Sequence, residues 1–364
     1  MKIILCPVTD RPEKIPGHQL FGSSYFEEVA KESCASKVKV EYLIYKQGGY
    51  GLLRTIILNL SLAFRIMAKK HDALYFRIDP DALLLLSLLK AMGIYRHPIY
   101  AWKYTSVDRT GNAVKDFVKR MLHRGFTKIF MVTESHVPKT ISEGILRKEQ
   151  VAYVKWGEDL SYVDRFKTER HEQFTFISTG KAHRDMRTLC EAFTRAERKS
   201  HKAMRLKIFT VRRWADYDYT QQLDNTGNPD IEVTYSDEIS LEEGCGSVLD
   251  QLFKEMHRSH CALSVCHAVK FGVGYTQVLD SLACGMPIIA TANPGNPIDI
   301  DKERCGMTIK AGDVDGLAEA MIQMANDTKL RNEMGDNGRR LIEREYNIRL
   351  TAREVLRHLG MCAR

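Results

Sequence analysis

The sequence predicts an α/β protein built from two doubly wound domains facing a central cleft. Two observations carry this reading. Short apolar runs of strand length alternate with amphipathic helical segments, the pattern of parallel sheets joined by crossover helices. The alternation restarts after residue 166, and 364 residues are enough for two separate cores. A hydrophobic fraction of 44% with 27% charged residues belongs to globular proteins rather than disordered ones.

The first half alternates from its start. Lys2–Pro7 reads as a buried strand of parallel type. A Pro- and Gly-rich stretch over 11–24 leads into a helix at Tyr25–Cys34, and Val38–Tyr45 reads as the second strand. QGGYG at 47–51 turns the chain into a long helix running through Ala68. Ala73–Ile78, Asp81–Met92, Pro98–Tyr104, Ala113–His123 and Lys128–Thr133 continue as strand, helix, strand, helix and strand. Asp79-Pro80-Asp81 resembles a metal-binding aspartate pair, but it has the grammar of a helix start: Asp as cap, then Pro at the first helical position. Ala82–Leu89, the most apolar run, is far shorter than the roughly 20 residues a spanning helix needs.

Charge is unevenly divided. Residues 1–150 hold 24 Lys/Arg against 14 Asp/Glu, a net of +10, whereas 151–364 hold 30 against 32, a net of −2. Such asymmetry points to an anionic partner for the first half, or to a well-solvated face. Ala113–Arg124 concentrates it in a basic amphipathic helix, with Val114, Phe117, Val118, Met121 and Leu122 on one side. That helix can lie in a lipid interface or pack its apolar side on the sheet, and packing is the expectation here. Nine cysteines without framework spacing read as reduced thiols of a cytoplasmic protein. His257, His260, Cys261, Cys266 and His267 invite a zinc reading, but Cys261 and Cys266 bound an apolar strand.

The chemistry concentrates in Ser264–Asn293. Cys261–Cys266 is a strand, Lys270–Tyr275 carries Gly272 and Gly274, Thr276 is a suitable N-cap, and QVLDSLAC has helical spacing. Gly285 and Pro287 end that helix before the strand PIIAT. A glycine loop feeding a helix N-terminus binds anions through free N–H groups and the positive end of the helix dipole. An ordinary tight turn carries the same glycines.

QVLDSLACGMPIIAT resembles the signature L-E-A-x-A-C-G-x-P-V-I-A-T of the retaining, family 4 glycosyltransferases. The resemblance implies a GT-B fold of two Rossmann-like domains. It also implies a nucleotide-sugar donor whose ribose is held at Asp280, with diphosphate on the amides of Gly272, Gly274, Tyr275 and Thr276. GKAHRDMR at 180–187 is similar to the family's G-R-x-x-x-E-K-G segment, shortened by two residues. Gly180, Lys181 and Arg184 then fall beside the diphosphate, where fixed cations favour a departing nucleoside diphosphate. In isolation, the same residues fit a solvated loop.

Two positions depart from the family around the transferred sugar. The usual glutamate eight residues before Asp280 is Gly272, and the usual histidine after Pro98–Tyr104 is replaced by Trp102-Lys103-Tyr104. GHQLFGSS at 17–24 falls where the family has its first glycine loop, which puts Gly22, Ser23 and Lys103 on the acceptor side. Val151–Phe166 is similar to the family's interdomain crossing. The expected domains are therefore a basic acceptor-side domain over 1–155, a donor domain over 156–345, and a helix over 346–364 crossing back.

The resemblance implies a transferase moving sugar, UDP-linked rather than GDP-linked, to a saccharide or lipid-linked saccharide in polysaccharide or glycolipid synthesis. It implies no cofactor and no essential metal. An anionic membrane face is a candidate partner, giving peripheral attachment, and nucleic acid is not. A nucleotide-sugar epimerase of the same fold and a non-catalytic anionic-surface module are the alternatives. No G-x-G-x-x-G follows the first strand, which disfavours a dinucleotide oxidoreductase.

Overall fold

The structure, a computed structural model, describes residues 2–9, 11–33, 37–45, 52–77, 80–224, 226–236, 248–269 and 272–362. The expected turn at 47–51, Asp79, and residues 270–271 of the glycine loop lie outside the described residues. The chain divides into two compact units, Met1–Asp159 with Asn347–Arg364, and Leu160–Tyr346.

The first unit runs β1 (Lys2–Val8), α1 (Phe26–Ser33), β2 (Val38–Ile44), α2 (Leu52–Met67), β3 (Ala73–Phe76), α3 (Leu84–Ala91), β4 (Ile99–Lys103), α4 (Ala113–His123), β5 (Lys128–Met131), α5 (His136–Ser142) and β6 (Val151–Tyr153). Its six strands are parallel in the order β2-β1-β3-β4-β5-β6. From β1 the chain steps to β2 in one direction and returns through β3 to β6 in the other. Right-handed crossovers therefore put α1 on one face of the sheet and α2 to α5 on the opposite face. There Leu62, Ala63 and Ile66 of α2, with Leu86 of α3, close over Leu74, Phe76, Ile99 and Ile129. Helix α3 packs against both α2 and α4.

Helix α4 corrects the expectation that its apolar side packs on the sheet. Val114, Phe117, Val118 and Met121 are 72%, 57%, 45% and 40% exposed, whereas Asp116 and His123 are buried. Pairing of polar groups inside is the cause. Asp116 Oδ1 accepts from the Thr110 N–H at 2.7 Å and its hydroxyl at 2.8 Å, and Lys119 Nζ donates to the Asp108 carbonyl at 2.7 Å.

The second unit runs α6 (Leu160–Val163), β7 (Phe174–Thr179), α7 (Met186–Lys199), β8 (Met204–Thr210), a small antiparallel hairpin of β9 (Arg213–Trp214) and β10 (Tyr217–Asp218), α8 (Tyr219–Leu223), β11 (Ile231–Tyr235), α9 (Val248–Arg258), β12 (Cys261–Ser264), α10 (Tyr275–Ala283), β13 (Ile288–Thr291), β14 (Gly306–Ile309), α11 (Val314–Asn326) and α12 (Thr328–Glu345). The large sheet is parallel in the order β11-β8-β7-β12-β13-β14. The last helix, α13 (Ile348–His358), belongs to the first unit and packs on α1.

Gly335 and Gly338 lie within α12, where a Cβ at either would collide with the Gly285 carbonyl or the Leu282 side chain as α12 closes on α10. Two local readings change. Gly274, not Thr276, caps α10, since its left-handed φ of 74° ends the preceding loop. Cys362 is disulfide-bonded, against the expectation of reduced thiols throughout, while Cys6, Cys190, Cys261, Cys266, Cys284 and Cys305 form no disulfide. Spacing along the chain does not report a pairing that only folding brings within reach.

Candidate functional site

The winding of the second sheet reverses beside β7. Strands β8 and β11 lie to one side of it, and β12, β13 and β14 to the other. Ligands of doubly wound sheets bind beyond the carboxyl ends of the strands at such a reversal. Two loops leave that point, 180–185 after β7 and, among the described residues, 265–269 and 272–274 after β12. They are tied by backbone hydrogen bonds, from Asp185 N to the Val265 carbonyl at 3.1 Å and from His267 N to the His183 carbonyl at 2.9 Å. An antiparallel bridge pairs Arg184 with Cys266.

Arg184 lies at the centre of this junction and is 2% exposed. Its Nη1 donates to Ser264 Oγ at 2.8 Å and Cys266 Sγ at 3.0 Å, and its buried Nε has no partner. Among the described residues no carboxylate forms an ion pair with it. The guanidinium sits between two glycines. A Cβ on Gly180, whose φ is 96°, would collide with Nη2; one on Gly274 would collide with Ser264 Oγ and lie 3.2 Å from Nη1. Gly274 is also the N-cap of α10, so the positive end of that helix adds to the field of the cation. A buried cation facing a second positive source, with no carboxylate to offset either, is costly until an anion arrives.

Lys181 is an exposed neighbour in the same loop. The loop is held from below by Tyr219, which is fully buried. Its hydroxyl donates to the Lys181 carbonyl at 2.7 Å and accepts from the Arg184 N–H at 3.1 Å. Burial raises the pKa of this phenol, keeping it a donor at neutral pH. Nothing in the sequence singled out Tyr219 beyond its place after Asp218, which caps α8.

Along α10, Val278, Leu279, Leu282 and Ala283 are buried and fix the helix on the sheet. Tyr275 is buried in its first turn, Thr276 is exposed, and Asp280 is half-buried. Thr276 and Asp280 are four residues apart and share one face, separated by about 6 Å along the axis. Gly272 is half-buried just ahead of the helix. The structure thus gathers Gly180, Lys181, Arg184, Gly274, Tyr275 and Thr276 at one strand reversal, with Asp280 further along the same helix.

The first-unit candidates are placed differently. Gly22 lies under α13, where a Cβ would approach the Ala352 backbone to 3.1 Å. Ser23 is buried, its Oγ 3.4 Å from the Tyr42 hydroxyl. Both are engaged in packing. Lys103 is half-buried at the carboxyl end of β4. Trp102 is fully buried, and its Nε1 donates to the Tyr75 hydroxyl, which donates to the Phe21 carbonyl at 2.7 Å. An indole so held has its one donor already used.

The thiol–imidazole group is dispersed among other partners. His257 Nε2 lies 3.0 Å from the Val163 carbonyl; His260 Nδ1 accepts from Thr175 N at 3.1 Å and stacks on Phe174. Burial, with Arg170, Arg331 and Lys202 nearby, pushes the pKa of His260 down to about 4.

Residues 246–341 match the family described as glycosyl transferases group 1. The matched segment is 96 of the chain's 364 residues. It carries Ser264, Cys266 and the whole of α10, and begins after the Lys181–Arg184 loop that completes the junction. A GDP-mannose-dependent monoacylated α-(1-6)-phosphatidylinositol monomannoside mannosyltransferase of Corynebacterium glutamicum is 35% identical over 69 residues. That match spans 19% of this chain and only 18% of the relative. A glycosyltransferase from Rickettsia africae superposes with a TM-score of 0.71 at 12% identity, covering 99% of this chain and 98% of that one. Anabaena HepE in complex with UDP-glucose gives 0.66 at 13% identity, covering 99% and 100%. The fold around the group 1 segment is GT-B.

Proposed function

We propose that this chain is a glycosyltransferase that moves a sugar from a nucleoside-diphosphate donor to a hydroxyl of a saccharide or lipid-linked saccharide, with retention of configuration. The observation that carries the reading is Arg184, a buried guanidinium beside the N-terminus of α10 with no carboxylate partner among the described residues. A diphosphate supplies the missing negative charge. Cleavage of the glycosidic bond adds charge to that leaving group, so cations fixed beforehand favour the transition state over the ground state.

Each residue has a definite task. Arg184 and the exposed ammonium of Lys181 neutralise the diphosphate, and the N-terminal turn of α10 at Tyr275 and Thr276 cradles it. Asp280, on the face of α10 shared with Thr276, accepts hydrogen bonds from the ribose hydroxyls. The donor phosphate takes the acceptor proton, so no protein base is required. Lys181 and Arg184 supply the charge that Mg²⁺ or Mn²⁺ supplies in other transferases. Lys103 is left as the acceptor-side cation. The name of the Corynebacterium relative specifies GDP-mannose and the Anabaena complex contains UDP-glucose. The reading here is UDP, in polysaccharide or glycolipid assembly.

Calorimetry with UDP and GDP, with turnover on a panel of UDP-sugars, tests the assignment in Arg184→Met. Turnover should fall by about 10²- to 10³-fold, as for loss of one transition-state donor. The melting temperature of the ligand-free protein should hold or rise, because an uncompensated buried charge is gone. Full nucleotide affinity with a lower melting temperature would make Arg184 a structural residue.

A further inference from the structure

Helix α2 is apolar on two opposite sides. Leu62, Ala63 and Ile66 face the core, while Leu53, Ile56, Ile57, Leu60, Phe64 and Met67 are 45–76% exposed. The exposed set recurs at intervals of three and four residues, so it forms one stripe along the helix. Helix α4 presents a second stripe, Val114, Phe117, Val118 and Met121. Helix α3, which packs against both, adds the exposed Met92 and Ile94 just past its end. An exposed apolar surface of this extent is uncommon on a monomeric soluble protein and marks a place where something docks.

Charge says what docks. Residues 52–124 contain 13 Lys/Arg against 5 Asp/Glu. Arg54 and Arg65 flank the α2 stripe, Lys69 and Lys70 follow it, and Lys115, Arg120 and Arg124 border the α4 stripe, all exposed. The one carboxylate of α4, Asp116, is turned inward to Thr110. Apolar stripes rimmed by cations are the pattern of a helix lying at a lipid–water boundary, with carbon chains below and phosphate headgroups at the rim. A second copy of this chain would oppose two faces of the same positive sign.

We propose that α2, α3 and α4 form a monotopic docking face for a bilayer containing anionic lipid, with α2 as its main inserted element. The face lies on the helical layer opposite α1, and the proposal stands independently of the donor reading. Among the described residues no helix is long and apolar enough to cross a membrane, so attachment is from one side.

The test is flotation of the full chain with vesicles of equal parts phosphatidylcholine and phosphatidylglycerol, beside vesicles of phosphatidylcholine alone. The wild type should float with the anionic vesicles, and less so as salt is raised. Ile57→Glu with Phe64→Glu should cut that retention by about tenfold or more without shifting the melting temperature, since both side chains are in solvent. Replacing Lys115, Arg120 and Arg124 by Gln should weaken retention on anionic vesicles selectively. Absent wild-type flotation overturns the proposal, as does equal retention of the Glu variant. A dimer in sedimentation that Phe64→Glu dissolves, with no vesicle binding, would assign the face to a second copy instead.

Discussion

The two units are built from the same parts and finished differently. Both have a six-stranded parallel sheet covered by helices, but the first winds as β2-β1-β3-β4-β5-β6 and the second as β11-β8-β7-β12-β13-β14. Among the described residues, every large hydrophobic side chain that is substantially exposed belongs to the first unit. The first carries 29 Lys/Arg against 17 Asp/Glu, the second 25 against 29. One unit therefore keeps an uncompensated surface, apolar and cationic. The other keeps an uncompensated interior point, the guanidinium of Arg184. Each deficit is the basis of one proposal: an anionic lipid surface for the first, a diphosphate for the second.

The largest expected effect separates core from docking surface within one helix. Leu62 is 1% exposed on α2, and Phe64, two residues on, is 76% exposed. Leu62→Ala should destabilise the first unit by about 3 kcal/mol, the transfer and cavity cost of a buried leucine. Phe64→Ala should change stability by no more than about 0.5 kcal/mol, despite removing a larger side chain. Calorimetric unfolding of the two variants decides. Comparable losses would mean that the outer stripe is covered in solution.

A smaller effect is expected from Gly274→Ala. A side chain there must adopt a left-handed φ of 74° and push against Ser264 Oγ, which accepts from Arg184. The strain should cost about 2 kcal/mol of second-unit stability and move the guanidinium, lowering nucleotide affinity by about tenfold or more. Unchanged nucleotide affinity would detach the α10 N-terminus from the site.

The comparison also shows what the sequence could convey. Alternation of strand and helix exposed both sheets, because each buried parallel strand is a short apolar run. The glycine loop before α10 and the cations of 180–187 were legible through their spacing. Helix direction was not. The apolar side of α4 was visible in the sequence, but which side faces the sheet depends on Asp116 finding Thr110 and on Lys119 reaching Asp108. Strand β14 was missed because its first residue is Gly306, kept small by the Ile288 carbonyl against it. Tyr219 was silent for a similar reason, since its contacts bring together residues 35 and 38 positions apart.

Tyr219 gives the smallest and most diagnostic prediction. Its hydroxyl connects Lys181 and Arg184, so Tyr219→Phe keeps the buried ring and removes the link between the two cations. Stability should drop by about 1 kcal/mol, the net worth of an ordinary hydrogen bond with a buried carbonyl left unmatched. Nucleotide affinity should fall about fivefold, because the loop loses its pre-set shape and ordering it is charged against binding. Vesicle retention should not change, since no residue of the first unit is altered. A variant that loses stability but keeps full nucleotide affinity would mean that the 180–185 loop is held in shape by Gly180, Thr210 and the bridge to Cys266 alone. Arg184 would then be positioned by the sheet itself, and the burden of the donor site would shift from the loop to the junction of β7 and β12.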